Sequence, residues 1–191
     1  MKLVSDLSSV KIWDNYIDDD FLLGLDEESD LYDWQYDNVA NTQSYPNRKK
    51  GTHKFFGSTI YRKSRRESVP LSKNISGLYE FIEQNLIKDS YSVELIQLIG
   101  QFIGQDGSVH IDHPNDDNIH YTLMVFINHR WQKEWGGNFQ LYDDYNGNII
   151  KDIEYVPGRI IFFNGLIPHK GLAPKVPNVF RKSLVYRLIK I

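Results

Sequence analysis

From residue 92 to residue 191 the chain is a succession of short apolar stretches, each cut off by turn residues before it could fill a helix. Segments 93–103, 119–128, 138–142, 153–156, 159–163 and 181–189 are rich in β-branched and aromatic residues and are predicted strands. Gly104 to Gly107, Gly136-Gly137, Asn146-Gly147-Asn148 and Pro157-Gly158 supply the turns between them. Many short strands must cover one another's apolar faces, so the body should be a β-barrel or sandwich. Two helices are predicted upstream. Segment 18–28 opens with acidic residues and places Phe21, Leu22 and Leu25 at helical spacing, and segment 76–88, capped by Ser76, does the same with Leu78, Tyr79, Phe81, Ile82 and Leu86. Segments 31–37 and 55–62 are predicted strands joined by a polar loop over 38–52. The expected class is α+β in a single domain over 1–191, with helices and supporting strands in 1–91 and the β core in 92–191.

Composition narrows the chemistry. A chain of 191 residues can bury a sizeable core, and a formal charge of -3 gives no general reason to bind nucleic acid or an anionic membrane. With no cysteine, any metal must sit on His, Asp or Glu. No stretch resembles a signal sequence or a membrane span, so a cytoplasmic location is expected, and the partner should be a substrate rather than nucleic acid or membrane.

The sharpest local feature is His110-Ile111-Asp112. On an extended chain residues two apart share a face, so both side chains can reach one ion. A third ligand is available in His169, just beyond the strand ending at Phe162-Phe163. Two imidazoles and one carboxylate on one face of an octahedron leave three adjacent positions open, which suits non-haem Fe(II) and a chelating 2-oxo acid with O2 beside it. A 2-oxo dicarboxylate also needs a partner for its far carboxylate, best met by a planar guanidinium. Arg181 lies on the final strand, twelve positions after His169, and alternation puts the Ser183 hydroxyl on the same face.

These residues, in this order, resemble the prolyl 4-hydroxylase-like branch of the Fe(II)/2-oxoglutarate dioxygenases. The resemblance runs through Gly104-Gln105, His110-x-Asp112, Thr122 to Asn128 and Gly136-Gly137-Asn138-Phe139-Gln140-Leu141-Tyr142. It continues through Pro157-Gly158-Arg159, Phe162-Phe163, His169, Pro174 and Arg181-x-Ser183. It implies a double-stranded β-helix core with the helices packed outside, and Fe(II), 2-oxoglutarate and O2 as cofactor and co-substrates. The implied activity is hydroxylation of an unactivated C–H bond with release of succinate and CO2. A prolyl residue in a peptide or protein is the expected substrate, and a free amino acid or other small molecule the alternative. A non-catalytic metal-binding barrel is a remoter one. The intact Asp112 favours hydroxylation over halogenation, for which related enzymes carry a small residue there. Two positions depart from the pattern: the family usually has lysine about ten residues after the distal histidine, and a tyrosine where this chain has Gln101.

Several further residues have both a functional and a structural reading. Gln101 could donate to the co-substrate or simply end a strand. Of Tyr121 and Thr122, Tyr121 is expected to face the co-substrate because its hydroxyl can reach a carboxylate. His120, Trp131 and Trp135 are candidates for substrate contact. As metal ligands, His113 points to the opposite face from Asp112, and His120 and His129 lack partners at useful spacing. Arg48-Lys49-Lys50, Arg62-Lys63 and Arg65-Arg66 could dock an acidic substrate or be solvated. Arg187 shares the Arg181 face but is expected to lie beyond the pocket, in a structural role.

Overall fold

The computed structural model describes residues 10–39, 54–64, 72–113, 119–143 and 147–191, without the side chains of 37–39. The polar loop expected over 38–52 lies almost wholly outside these residues, as do Arg48, Lys49, Lys50, Arg65, Arg66 and Asn146.

Both helices form, and local polar groups set where they start. Helix α1 spans Asp19–Ser29, and the Asp18 carboxylate accepts from the Phe21 amide at 2.8 Å. Helix α2 spans Lys73–Asn85 and begins four residues earlier than a cap at Ser76 would place it. Ser72, not Ser76, is its cap, accepting from the Ile75 amide at 3.0 Å, while the Ser76 hydroxyl turns back to the Ser72 carbonyl inside the first turn.

The strands are β1 (Lys11–Trp13), β2 (Gln35–Val39), β3 (Lys54–Arg62), β4 (Tyr91–Gln101), β5 (His120–Phe126), β6 (Phe139–Tyr142), β7 (Ile149–Ile153), β8 (Ile160–Asn164), β9 (His169–Gly171) and β10 (Arg181–Lys190). Three differences from the sequence reading have local causes. Strand β2 starts after 31–34 because the chain is still leaving α1 there, with the Leu31 amide bonded to the Glu28 carbonyl and the Trp34 indole N–H to the Ser29 carbonyl. Strand β7 precedes 154–156: it pairs with β6, whereas Tyr155 leaves the ladder to bury its ring, its hydroxyl bonded to Asn128 at 2.6 Å. Strands β1 and β9, each three residues long, are too short to show a period.

Seven strands form one sheet in the order β1-β8-β5-β10-β4-β3-β2, and three form a second in the order β7-β6-β9. Strands β1, β2 and β3 come from the first 91 residues and complete the large sheet. One apolar cluster joins the helices to the outer face of that sheet through Leu25, Ile75, Leu78, Ile82, Leu98 and Tyr186. A second fills the space between the sheets with Phe126, Phe139, Leu141, Ile161 and Phe163. This is the double-stranded β-helix, with the helices outside. Among the described residues no helix is long and apolar enough to cross a membrane.

The central strand β10 pairs with β4 on one side and β5 on the other. Its alternate side chains therefore serve the two apolar layers in turn. Lys182 faces the helices, where its buried ammonium forms ion pairs with the Asp26 and Asp30 carboxylates and donates to the Asp26 carbonyl. Removing it would leave a half-buried Asp26 carboxylate without its cation. Lys182→Ala should therefore lower stability by roughly 3 kcal/mol, measured as a fall in the urea midpoint at unchanged m-value.

Candidate active site

The inner face of β10 carries Arg181, Ser183, Val185 and Arg187. Their cross-strand partners are Gln101, Ile99, Gln97 and Leu95 on β4, with Phe126, Met124 and Thr122 opposite the last three on β5. With residues of the second sheet these line a cavity of about 210 Å³.

The three ligand candidates meet at one end of it. Segment 107–112 runs along β9 as an added edge: the His110 amide bonds the His169 carbonyl at 3.0 Å, and the His169 amide bonds the His110 carbonyl at 2.9 Å. The Asp112 amide bonds the Gly165 carbonyl at 2.9 Å. The backbone thus fixes all three side chains, and their ligand atoms lie within 4.8 Å of one another. His110 Nε2 is 3.7 Å from Asp112 Oδ1, and His169 Nε2 is 3.6 Å from Asp112 Oδ2.

Each imidazole is already set in one tautomer. His110 Nδ1 lies 2.9 Å from the Ser108 carbonyl and His169 Nδ1 lies 2.7 Å from the Ile167 carbonyl. A carbonyl only accepts, so Nδ1 carries the proton and Nε2 offers its lone pair toward Asp112. Burial, helped by the neighbouring His169, pushes His110 down to about 4, and burial lowers His169 as well. Both rings are held neutral, the form that binds metal. Burial alone would raise the Asp112 carboxyl, but Arg187 above all, then the two histidines and the Thr122 hydroxyl, outweigh it and hold the group below the usual carboxylate range. Arg187 donates to Oδ1 at 2.8 Å, and Thr122 donates to Oδ2.

At the opposite end of the cavity Arg181 is fully buried. Its Nε donates to the Gly137 carbonyl at 2.7 Å, and one terminal nitrogen donates to Gln101 Oε1 and Ser183 Oγ, both at 3.0 Å. The guanidinium lies over the rings of Phe126 and Tyr155, at 5.2 and 5.0 Å. Its other terminal nitrogen, NH2, has no hydrogen-bond partner among the described residues. Burial pushes the group down to about 10, so it stays charged at neutral pH. A buried cation with one terminal nitrogen unmatched can receive an anion. The cradle needs glycine at Gly137, whose φ is +79°, and where a Cβ would come 2.9 Å from Trp131 and 3.2 Å from Arg181.

Other expectations are corrected. Tyr121 does not face the cavity: it stacks on Phe162, 5.1 Å between centroids, in the layer beneath the helices. The pairing of Ser183 with Phe126 and of Arg187 with Thr122 gives the inner face to even-numbered β5 residues, so Thr122 is the one at the site. Gln101 lines the cavity, but its amide is spent on Arg181 and on the carbonyls of Gln105 and Gly171, so it orients the guanidinium. Trp131 and Trp135 do not line the cavity. Trp131 lies against Tyr155 and donates to the Gly136 carbonyl, which makes it a support of the Gly136-Gly137 turn. Arg187 is inside the pocket, because the cavity follows β10 from Arg181 toward the triad instead of ending near Arg181. His120 turns away and stacks on His113, 3.4 Å between centroids, with Glu94 3.9 Å from its Nε2. Glu94, His113 and His120 also bring ligand atoms within 4.8 Å. The two rings are only 8° from parallel, so their in-plane lone pairs do not converge on one ion.

Residues 97–186 match the family model of the 2OG-Fe(II) oxygenase superfamily, a span that contains the triad and Arg181. That family uses Fe(II), 2-oxoglutarate and O2, and the His110, Asp112 and His169 group is a matching iron-holding candidate. No curated protein matches the chain at a significant level. Among solved structures it is similar to an oxidoreductase of the 2OG-Fe(II) oxygenase family from Burkholderia pseudomallei, with TM-score 0.69 and 14% identity over 96% of this chain and 86% of that one. It is also similar to a prolyl-4-hydroxylase from Pseudomonas putida, with TM-score 0.61 and 17% identity over 99% and 97% of the two chains. A Trichoplax adhaerens prolyl hydroxylase in complex with a hypoxia inducible factor peptide gives TM-score 0.62 and 15% identity over 98% and 87%.

The neutral histidines have a measurable signature in metal-free protein. With His110 held near 4 against an ordinary value of 6.5, and His169 lowered too, the unfolded chain takes up protons first as pH falls. Their stabilising contribution is complete above about pH 6.5 and is lost as pH drops toward 4. Urea midpoints of the metal-free protein should decline over that window, with a shallower decline in His110→Gln.

Proposed function

We propose that the chain is an Fe(II)- and 2-oxoglutarate-dependent oxygenase that hydroxylates an unactivated C–H bond and releases succinate and CO2. The observation that carries the reading is Arg181, a buried guanidinium with an unmatched donor at the far end of the cavity that holds the triad. A metal site alone would give no reason to bury a cation there.

His110, Asp112 and His169 would hold the iron through Nε2, a carboxylate oxygen and Nε2. Arg181 receives the far carboxylate of 2-oxoglutarate, with Ser183 adding its hydroxyl. When bound, iron with 2-oxoglutarate and O2 supplies the oxidising chemistry, and the protein supplies ligation, orientation and exclusion of water. Gln101 and Gly137 aim the guanidinium, while Thr122 and Arg187 fix the plane of the Asp112 carboxylate. The apolar walls, Met124, Phe139 and Val185 among them, keep the space between anchor and triad dry.

Peptidyl proline is supported as a substrate by the likeness in fold to the two prolyl hydroxylases. A free amino acid or other small molecule is favoured instead by two further arginines lining the cavity, Arg62 and Arg187.

Anaerobic addition of Fe(II) and 2-oxoglutarate to the folded protein should give a weak visible charge-transfer band, and its absence would count against the oxygenase assignment. Asp112→Ala should lose iron binding or hydroxylation, read as loss of that band and of succinate. Arg181→Lys keeps the charge but not the fork, and should raise the KM for 2-oxoglutarate on the order of tenfold, equivalent to about 1.4 kcal/mol. Lys182→Ala, on the opposite face, should leave that KM near wild type.

A further inference from the structure

The lining of the cavity carries more positive charge than iron and 2-oxoglutarate would balance. In the large sheet Arg62 of β3 pairs with Leu95 of β4, which in turn pairs with Arg187 of β10. The three side chains lie in one row on the inner face and all line the cavity. Two strand spacings separate the arginines, so their α-carbons are about 10 Å apart with apolar Leu95 between them. Among the described residues lining the cavity, Asp112 is the only acidic one.

With the site loaded, the charges of the inner groups cancel. Asp112 and the near carboxylate of 2-oxoglutarate would balance the two positive charges of Fe(II), and Arg181 would balance the far carboxylate. Arg62 is left without a described carboxylate, and Arg187 has only a share of Asp112. An exposed arginine on its own costs little, because water screens it. Arg187 is different: its side chain is only 33% exposed, one terminal nitrogen is committed to Asp112, and its Nε is buried with no hydrogen-bond partner among the described residues. No described carboxylate pairs with Arg62. Glu94, the unpaired extra residue of the bulge opposite Arg187 and Leu188, sits beside His120 rather than either arginine. The protein as a whole has a formal charge of -3, so this excess of positive charge in the cavity lining is local and not part of a general bias.

Resting on the oxygenase reading, we propose that the substrate presents a carboxylate to Arg62 and Arg187, with its aliphatic part on Leu95 and the reacting C–H bond turned toward the triad. The chemistry fits a small aliphatic carboxylic acid, free amino acids included. An internal prolyl residue in a neutral stretch of peptide brings no charge to offset the two guanidiniums. Arg62 and Arg187 are then specificity-determining residues, two donors that reward a planar anion and reject its uncharged analogue.

The test uses anaerobic protein loaded with Fe(II) and 2-oxoglutarate, titrated calorimetrically with L-proline, L-leucine, L-lysine and hexanoate. Each acid is paired with its carboxamide, and two end-capped peptides are included, neutral Gly-Pro-Gly and acidic Gly-Pro-Asp. Succinate formation in air provides the second readout. At least one acid should bind and raise succinate formation, its carboxamide should bind at least tenfold more weakly, and Arg62→Gln should weaken the acid at least tenfold while Arg62→Lys restores most of the loss. Binding of the acidic peptide alone would uphold the carboxylate and make a peptide its source. Equal binding of neutral Gly-Pro-Gly and the best acid would overturn the proposal, as would an unchanged affinity in Arg62→Gln. A normal Fe(II) and 2-oxoglutarate charge-transfer band with no acid and no acidic peptide bound would overturn this inference alone, whereas a folded protein that forms no such band would overturn the oxygenase reading beneath it.

Discussion

A guanidinium buried at the centre of a β-sheet protein is the constraint around which this structure is arranged. Desolvating Arg181 is costly, and the fold answers with a carbonyl from the Gly136-Gly137 turn, an amide oxygen from Gln101, a hydroxyl from Ser183 and two aromatic faces. Each comes from a different place in the chain. The turn must be glycine to come close, Gln101 must end β4 opposite Arg181, and Tyr155 must leave its strand to lie beneath the cation. Gly171 completes the cradle, since a Cβ there would come 3.1 Å from the Gln101 side-chain oxygen. What these contacts leave unmatched is one terminal nitrogen of a guanidinium that lines the same cavity as the triad.

The chemistry was legible in the sequence where it depends on neighbours along the chain. His110 and Asp112 share a face by alternation, Arg181 and Ser183 do so by the same rule, and the order of the four groups carried the resemblance. It was not legible where it depends on the pairing of distant strands. Which of Tyr121 and Thr122 faces inward is decided by the register of β5 against β10, and a one-residue difference in register reverses the answer. Arg187 was misplaced for a related reason: alternation gave its face, but only the direction of the cavity along β10 shows that it reaches Asp112. The α2 cap went to Ser72 over Ser76 because both serines suit a helix start and the choice rests on geometry, with Ser72 extended at ψ 157° and Ser76 already helical.

Half of the molecule carries the site and the other half gives it walls. The family match begins within β4, after both helices and the first three strands. Yet Phe55 and Arg62 on β3 line the cavity. The triad is therefore built by the segment that matches the family, while part of the cavity wall comes from a region outside that match, where side chains can vary without disturbing the three ligand candidates.

Strand β10 places two cations on adjacent residues and sends them to opposite layers: Arg181 to the cradle between the sheets, Lys182 to the carboxylates of α1. A slip of one residue would drive the ammonium among carbonyls and rings shaped for a planar fork, and press the guanidinium into the layer of the helices. Both errors would be paid in desolvated charge at once. The strand thus carries its own proofreading, and the chain can close the large sheet around β10 in only one alignment before any metal or substrate arrives.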